Sequence, residues 1–215
     1  MKNTHPQIGM TMIELLVVIA IAAILVMIAV PSMRESQRIS ETKGLLRDIH
    51  SAMVFARSEA LTKGQPVSIC PSITLKTCAT SSDWGSGWIV FVDNGDGKRA
   101  ANGIYNKAAG EQLLRAYGYA GSGIISVRDP DDNNNTSLSS ITLNHRGYPS
   151  KEKRALVVVC DADRTLRHAR GLTMELSGRI SKTRDNDGNG VHEITLMDFS
   201  HNGQGVISSS MECPK

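Results

Sequence analysis

No catalytic signature runs through this chain. It has no H-E-x-x-H, G-x-S-x-G, P-loop or dinucleotide-binding glycine fingerprint. Zinc-hydrolase, α/β-hydrolase, nucleotide-hydrolase and Rossmann chemistry therefore lack their ligands, nucleophiles and phosphate cradles. The histidines (His5, His50, His145, His168, His192 and His201) are scattered, and His192-Glu193 has no second His to follow it. No enzyme and no cofactor are expected. Aromatic residues are only 4% of the chain, which gives little support to a base-stacking platform. Charge is nearly balanced, with 24 Lys and Arg against 21 Asp and Glu, so this is not a strongly basic protein. Cysteine is limited to Cys70, Cys78, Cys160 and Cys213. None stands in a C-x₂-C pair and no His lies beside them, which argues against zinc.

What the chain does have is concentrated at its start. A short polar leader ends at Gly9, and an apolar run then extends from Met10 to Val30 with a single charge, Glu14. About twenty residues make a helix of roughly 30 Å, the thickness of a bilayer core. A carboxylate in such a segment costs roughly 2.5–3.5 kcal/mol on insertion scales, so Glu14 argues for a helix that meets a partner charge. The leader is no ordinary secretory signal, because the apolar run is too long and no A-x-A site follows it. The small residue at a natural break is Gly9, before the run. Cleavage there leaves the apolar segment as the mature N-terminus, with a new amine on Met10 four residues before Glu14. In a bundle of helices, the Glu14 of one subunit can then neutralise the Met10 ammonium of another, removing the cost of an unpaired buried charge.

Gly9-Met10-Thr11-Met12-Ile13-Glu14 resembles the processing motif of type IV pilin-like proteins, G|FTLIE, with Met10 in place of Phe and Met12 in place of Leu. The resemblance implies a prepilin peptidase that cuts after Gly9 and N-methylates Met10. It also implies that Glu14 recruits subunits into a fibre. It places the precursor in the bacterial inner membrane as a single-pass protein with a periplasmic C-terminal domain, and in the pilus fibre at the cell surface after assembly. Lys2 and His5 in the leader would stay cytoplasmic.

Past Val30 the pattern stays helical. Pro31 is expected to bend the helix. Ile39, Leu46, Ile49, Met53, Ala56 and Ala60, broadened by Leu45, recur at three- and four-residue intervals and form an apolar stripe. Gly64 followed by Pro66 is a stop signal. The sequence then changes to short β-rich runs, expected at 66–70, 87–92, 112–117, 123–127, 140–143, 156–160, 173–176 and 193–196. The loops at 81–85, 129–137 and 184–190 are expected to be mobile, with 131–135 a disordered tip. Four cysteines outside the cytoplasm favour disulfides. Three connectivities exist. Cys70 and Cys78 bracket a short loop and are expected to pair, leaving Cys160 with Cys213, a bond that would tie down the C-terminus.

The second half extends the resemblance. Trp84-x-x-Gly87-Trp-Ile-Val-Phe-Val-Asp93, Ile141-x-Leu-Asn-x-Arg-Gly147 and Leu176-Ser-Gly178-Arg179 are similar to the GspH/FimT pseudopilin family, and within it most resemble FimU-type minor pilins. The fold expected is α+β, a long N-terminal, partly transmembrane helix packed on an antiparallel sheet or sandwich. Its parts are a leader (1–9), a transmembrane or fibre-core helix (10–31), an amphipathic stem (32–64) and a periplasmic β-rich domain (65–215). The resemblance implies a minor pilin that helps prime pilus assembly in a tip complex. Its partners would be other minor pilins, the major pilin, the prepilin peptidase and the inner-membrane assembly platform. The same family suggests two alternatives, a minor pseudopilin of type II secretion and a DNA-binding minor pilin for transformation. For DNA the candidates are Arg179, Lys182 and Arg184, within a basic stretch from Lys151 to Arg184. The Gly-Arg-x-Arg motif of the DNA-binding relatives is incomplete here, because Gly178-Arg179-Ile180-Ser181 lacks the second Arg. Asp185-x-Asp187-x-Asn189-Gly190 matches the first half of an EF-hand loop, but Leu196 stands where a bidentate Glu is needed. Asp/Asn/Gly runs commonly form plain turns, and no metal is expected.

Overall fold

A computed structural model describes residues 11–97, 100–132, 136–150, 153–197, 206–210 and 213. Gly9, Met10 and part of the 131–135 tip lie outside the described residues. The chain divides into two compact units, with the boundary between Arg38 and Ile39. One helix, α1 (Met12–Lys63), runs through both, and Pro31 does not end it.

In the first unit, the helix from Met12 onward has its described side chains open to solvent. Leu15, Leu16, Val17, Val18 and Ile19 are each half or more exposed. An 18-residue window of the helix has a mean hydropathy of 3.1 and none of it is buried, so it is long and apolar enough to cross a membrane. Full burial of each such side chain is worth about 1.5–3 kcal/mol. Their sum outweighs the insertion cost of one carboxylate several times over, so this segment seeks an apolar surround despite Glu14.

The second unit is built on the rest of α1. Leu45, Ile49, Ala52, Met53, Ala56 and Ala60 are buried along one side, at the spacing that puts them on a single helical face. Gly64 ends the helix in a left-handed conformation, its N–H bonded to the Ala60 carbonyl at 3.0 Å. Ten strands follow. These are β1 (Val67–Pro71), β2 (Gly87–Val92), β3 (Leu113–Gly118), β4 (Ile124–Arg128), β5 (Ile141–Leu143), β6 (Ala155–Cys160), β7 (Arg170–Met174), β8 (Ile180–Lys182), β9 (Glu193–Met197) and β10 (Val206–Ser210). They form a four-stranded sheet ordered β3-β2-β1-β5, a second ordered β4-β6-β7-β8, and the hairpin β9-β10. Every strand pair is antiparallel.

β1, β2 and β6 are buried along their whole length, which means both faces are covered. Their alternation sorts side chains between two layers. Val67, Ile69, Trp88 and Val90 of the first sheet and Ala155, Val157 and Val159 of the second join the helix stripe in one core. The residues between them face outward into smaller clusters. Cys70, Ile89 and Phe91 lie with Cys78 and Tyr105, and Leu156, Val158 and Cys160 lie with Ala169, Ile124 and Cys213. Each outer cluster carries one disulfide, Cys70–Cys78 in the first and Cys160–Cys213 in the second.

Two sequence motifs meet at the helix. Gly147 and Gly178, both with positive φ, sit against Arg57, and a Cβ on Gly178 would collide with the Gly147 carbonyl oxygen. Arg57 donates from Nη2 to the Ser177 carbonyl at 3.3 Å. These glycines are there because two turns approach each other too closely for a side chain.

Two strands, β8 and β10, are additions to those expected, and one expected strand is displaced. β8 and β10 carried no strong strand signal. β7 runs from Arg170 to Met174, whereas 173–176 was expected, and Leu176 lies in the turn beyond it. Gly171 is a paired strand residue of β7 whose N–H is held by Thr183 Oγ1 at 2.9 Å.

Candidate functional site: the helix start and the basic recess

Helix α1 begins with a cap that the sequence reading missed. Thr11 stands just before the helix. Its Oγ1 accepts a hydrogen bond from the Glu14 N–H at 3.3 Å, and its carbonyl accepts one from the Leu15 N–H at 3.2 Å. The side chain of an N-cap threonine meets an N–H that the helix cannot satisfy internally. The pattern Thr11-x-x-Glu14 was the available signal. The cap fixes where the helix starts and puts Glu14 in its first turn, where the helix dipole favours a negative charge. The carboxylate is exposed and makes no ion pair among the described residues.

Arg179, Lys182 and Arg184 lie at and beside β8, all exposed, and line one cleft of 600 Å³ together with His50 of the helix. The structure therefore brings these three residues together. Neighbouring Asp185, Asp187 and Glu193 place carboxylate oxygens within 4.8 Å of one another. Those oxygens are already engaged by backbone N–H groups. Asp185 accepts from Gly188 (2.7 Å) and Gly190 (2.9 Å), Asp187 from Asn189 (3.0 Å), and Glu193 from Asn186 (2.7 Å). Desolvation pushes the Asp185 carboxyl up, but the Gly190 and Gly188 N–H bonds outweigh it and hold the group below its ordinary range. The arrangement is that of a tightly bonded turn.

Two further polar groups anchor the sheets to the core. Glu41 accepts from the Tyr119 hydroxyl at 2.6 Å and from the Ser122 N–H at 2.9 Å. These bonds, Tyr119 first, hold its carboxyl below the usual range. Burial, and then the bond to Glu41, push the Tyr119 hydroxyl up to about 12. Asp161 and His168 are both buried, with Oδ2 and Nδ1 2.8 Å apart. Burial raises the Asp161 carboxyl, but hydrogen bonds from His168 and the Thr165 N–H more than reverse it. The pair closes the turn after β6.

A profile described as "Type II transport protein GspH" matches residues 45–178, and one described as "Prokaryotic N-terminal methylation motif" matches residues 5–30. The chain belongs to the GspH family. This is a family of pilin-like structural proteins, the minor pilins and pseudopilins of type IV pili or type II secretion. The GspH match runs from Leu45 on the helix stripe to Gly178 at the Arg57 contact, so it spans the core described above. Among solved structures, the Pseudomonas aeruginosa PAO1 type IV minor pilin FimU is similar in two crystal forms. One has 19% identity and a TM-score of 0.49 over 66% of this chain and 87% of that one. The other has 18% identity and a TM-score of 0.44 over 69% and 92%. A search of curated protein sequences gives no match.

Proposed function

We propose that this GspH-family chain is a minor pilin built into a type IV pilus, where it helps prime assembly as part of a tip complex. In this reading a prepilin peptidase cuts after Gly9 and methylates the Met10 amine. Glu14 then pairs with the amine of a neighbouring subunit, and the apolar helix leaves lipid for the helical core of the fibre. The observation that supports it most is Glu14 itself, a capped first-turn carboxylate at the head of an apolar helical segment with no buried residue, inside the segment that matches the methylation motif. A tether alone has no use for that charge. This chain supplies adhesion between subunits and no chemical work, so a separate motor must drive extension.

A pseudopilus subunit of type II secretion is the second reading, favoured by the description of the matching family. The experiment that separates the two counts surface fibres and secreted substrate in a strain lacking the chain. The pilus reading expects loss of most fibres with secretion intact, restored by the full-length chain. Normal piliation with impaired secretion would overturn it.

A further inference from the structure

The basic cluster at β8 continues onto the helix. Lys43, Arg47 and His50 recur at i, i+4 and i+7 and share one face. Lys43 and Arg47 line a recess of 330 Å³ with Arg170, Lys182 and Thr183. That recess adjoins the 600 Å³ cleft and shares Lys182 and Thr183 with it. Lys43, Arg47, Arg179, Lys182 and Arg184 make no ion pair among the described residues. Arg170 is held by the Arg167 and Ala169 carbonyls and feels the Asp185 charge. Glu175, the carboxylate in the cleft lining, is engaged by Arg154 at 3.7 Å. Burial, and then the Lys182 charge, hold the His50 imidazole below its ordinary value, so it adds a polar group rather than another charge. Cations gathered without counter-ions repel one another and create a field that attracts anions.

We propose that this recess between α1 and β8 receives an extended acidic segment of a neighbouring, non-identical subunit. The proposal rests on the fibre-subunit reading above. β8 is the edge of its sheet, so an extended segment can lie along it with its carboxylates between the helix cations and the strand cations. Charge complementarity points to a partner other than a second copy. Among the described residues, acidic side chains of this chain's own turns are already held, Asp129 and Asp131 by Lys153 and Arg154, and Asp93 and Glu111 by backbone N–H groups. A nucleic acid fits less well. No Phe, Tyr or Trp lines either recess, and Asp185, Asp187 and Glu193 follow Arg184, where a duplex backbone would run over them. A short acidic peptide can stay within the 330 Å³ recess, beside Lys43, Arg47, Arg170 and Lys182.

The test uses the full-length chain with Lys43→Glu, Lys182→Glu and Arg184→Glu combined, all exposed positions, and the charge-keeping set Lys43→Arg, Lys182→Arg and Arg184→Lys. Detergent-solubilised chain is titrated with an oligoglutamate peptide and with a DNA duplex of matched charge. In parallel, recovery in sheared fibres is compared with the amount in membranes. The wild type and the charge-keeping set should bind the peptide in preference to the duplex. The reversed set should lose peptide binding and fibre recovery by at least about tenfold. Peptide binding unchanged by reversal, or a duplex bound more tightly than the peptide, would overturn the proposal. Wild-type chain absent from fibres would count against the fibre-subunit reading, and the peptide titration would still decide the recess.

Discussion

Glu14→Ala leaves the chain in the membrane and removes it from fibres. The apolar side chains of the first helical segment stay in place and still favour lipid, so insertion should be unchanged or slightly better once the carboxylate is gone. Incorporation is a different matter. In the proposed bundle of helices, the mutant would leave the Met10 ammonium of a neighbour unpaired in an apolar surround. Removing one partner of a buried ion pair costs about 3–5 kcal/mol, roughly a hundredfold or more in the assembly equilibrium. Glu14→Gln should fall almost as far, because it keeps the shape and loses the charge. Fractionating membranes and sheared fibres and quantifying the chain in each checks this. Normal recovery of Glu14→Ala in fibres would sink the charge-pairing idea while leaving the membrane anchor untouched.

The second large effect is expected at the disulfides, and the two should differ. Cys160 and Cys213 are 53 residues apart, whereas Cys70 and Cys78 are 8 apart. Chain-entropy arguments assign about 4 kcal/mol to the longer loop and about 2.5 kcal/mol to the shorter. Against a total stability of about 5–15 kcal/mol, the first is a large share. Cys160 also lies in the outer cluster of the second sheet and is fully buried there, so losing its partner removes packing as well as a cross-link. Cys160→Ala with Cys213→Ala should lower the urea midpoint of the full chain more than Cys70→Ala with Cys78→Ala. The reverse order would show that the loop under the first sheet, and not the C-terminal tether, limits stability.

The helix and most strands could be read in advance because their signals are local. The apolar run, the 45–60 stripe and Gly64 all act within a few turns of chain. Gly87–Val92 and Ala155–Cys160 are β-rich runs bounded by turn residues. What escaped depended on distant partners. β8 is three residues with one apolar side chain, and it is a strand because β7 lies beside it. The division into two sheets follows from which strands cover the helix, and the meeting of Gly147 with Gly178 follows from that packing. At the site, Glu14 could be read from the cost of its charge, and Thr11 could have been found from the capping pattern. The joining of Lys43 and Arg47 to Lys182 needed the fold, since they come from segments about 140 residues apart.

The mass of the mature N-terminus tests the central claim most directly. Chain isolated from the envelope should lack residues 1–9 and begin at Met10 with one added methyl group, its amine set four residues before Glu14. An intact leader, or a first residue beyond the apolar segment, would contradict the account.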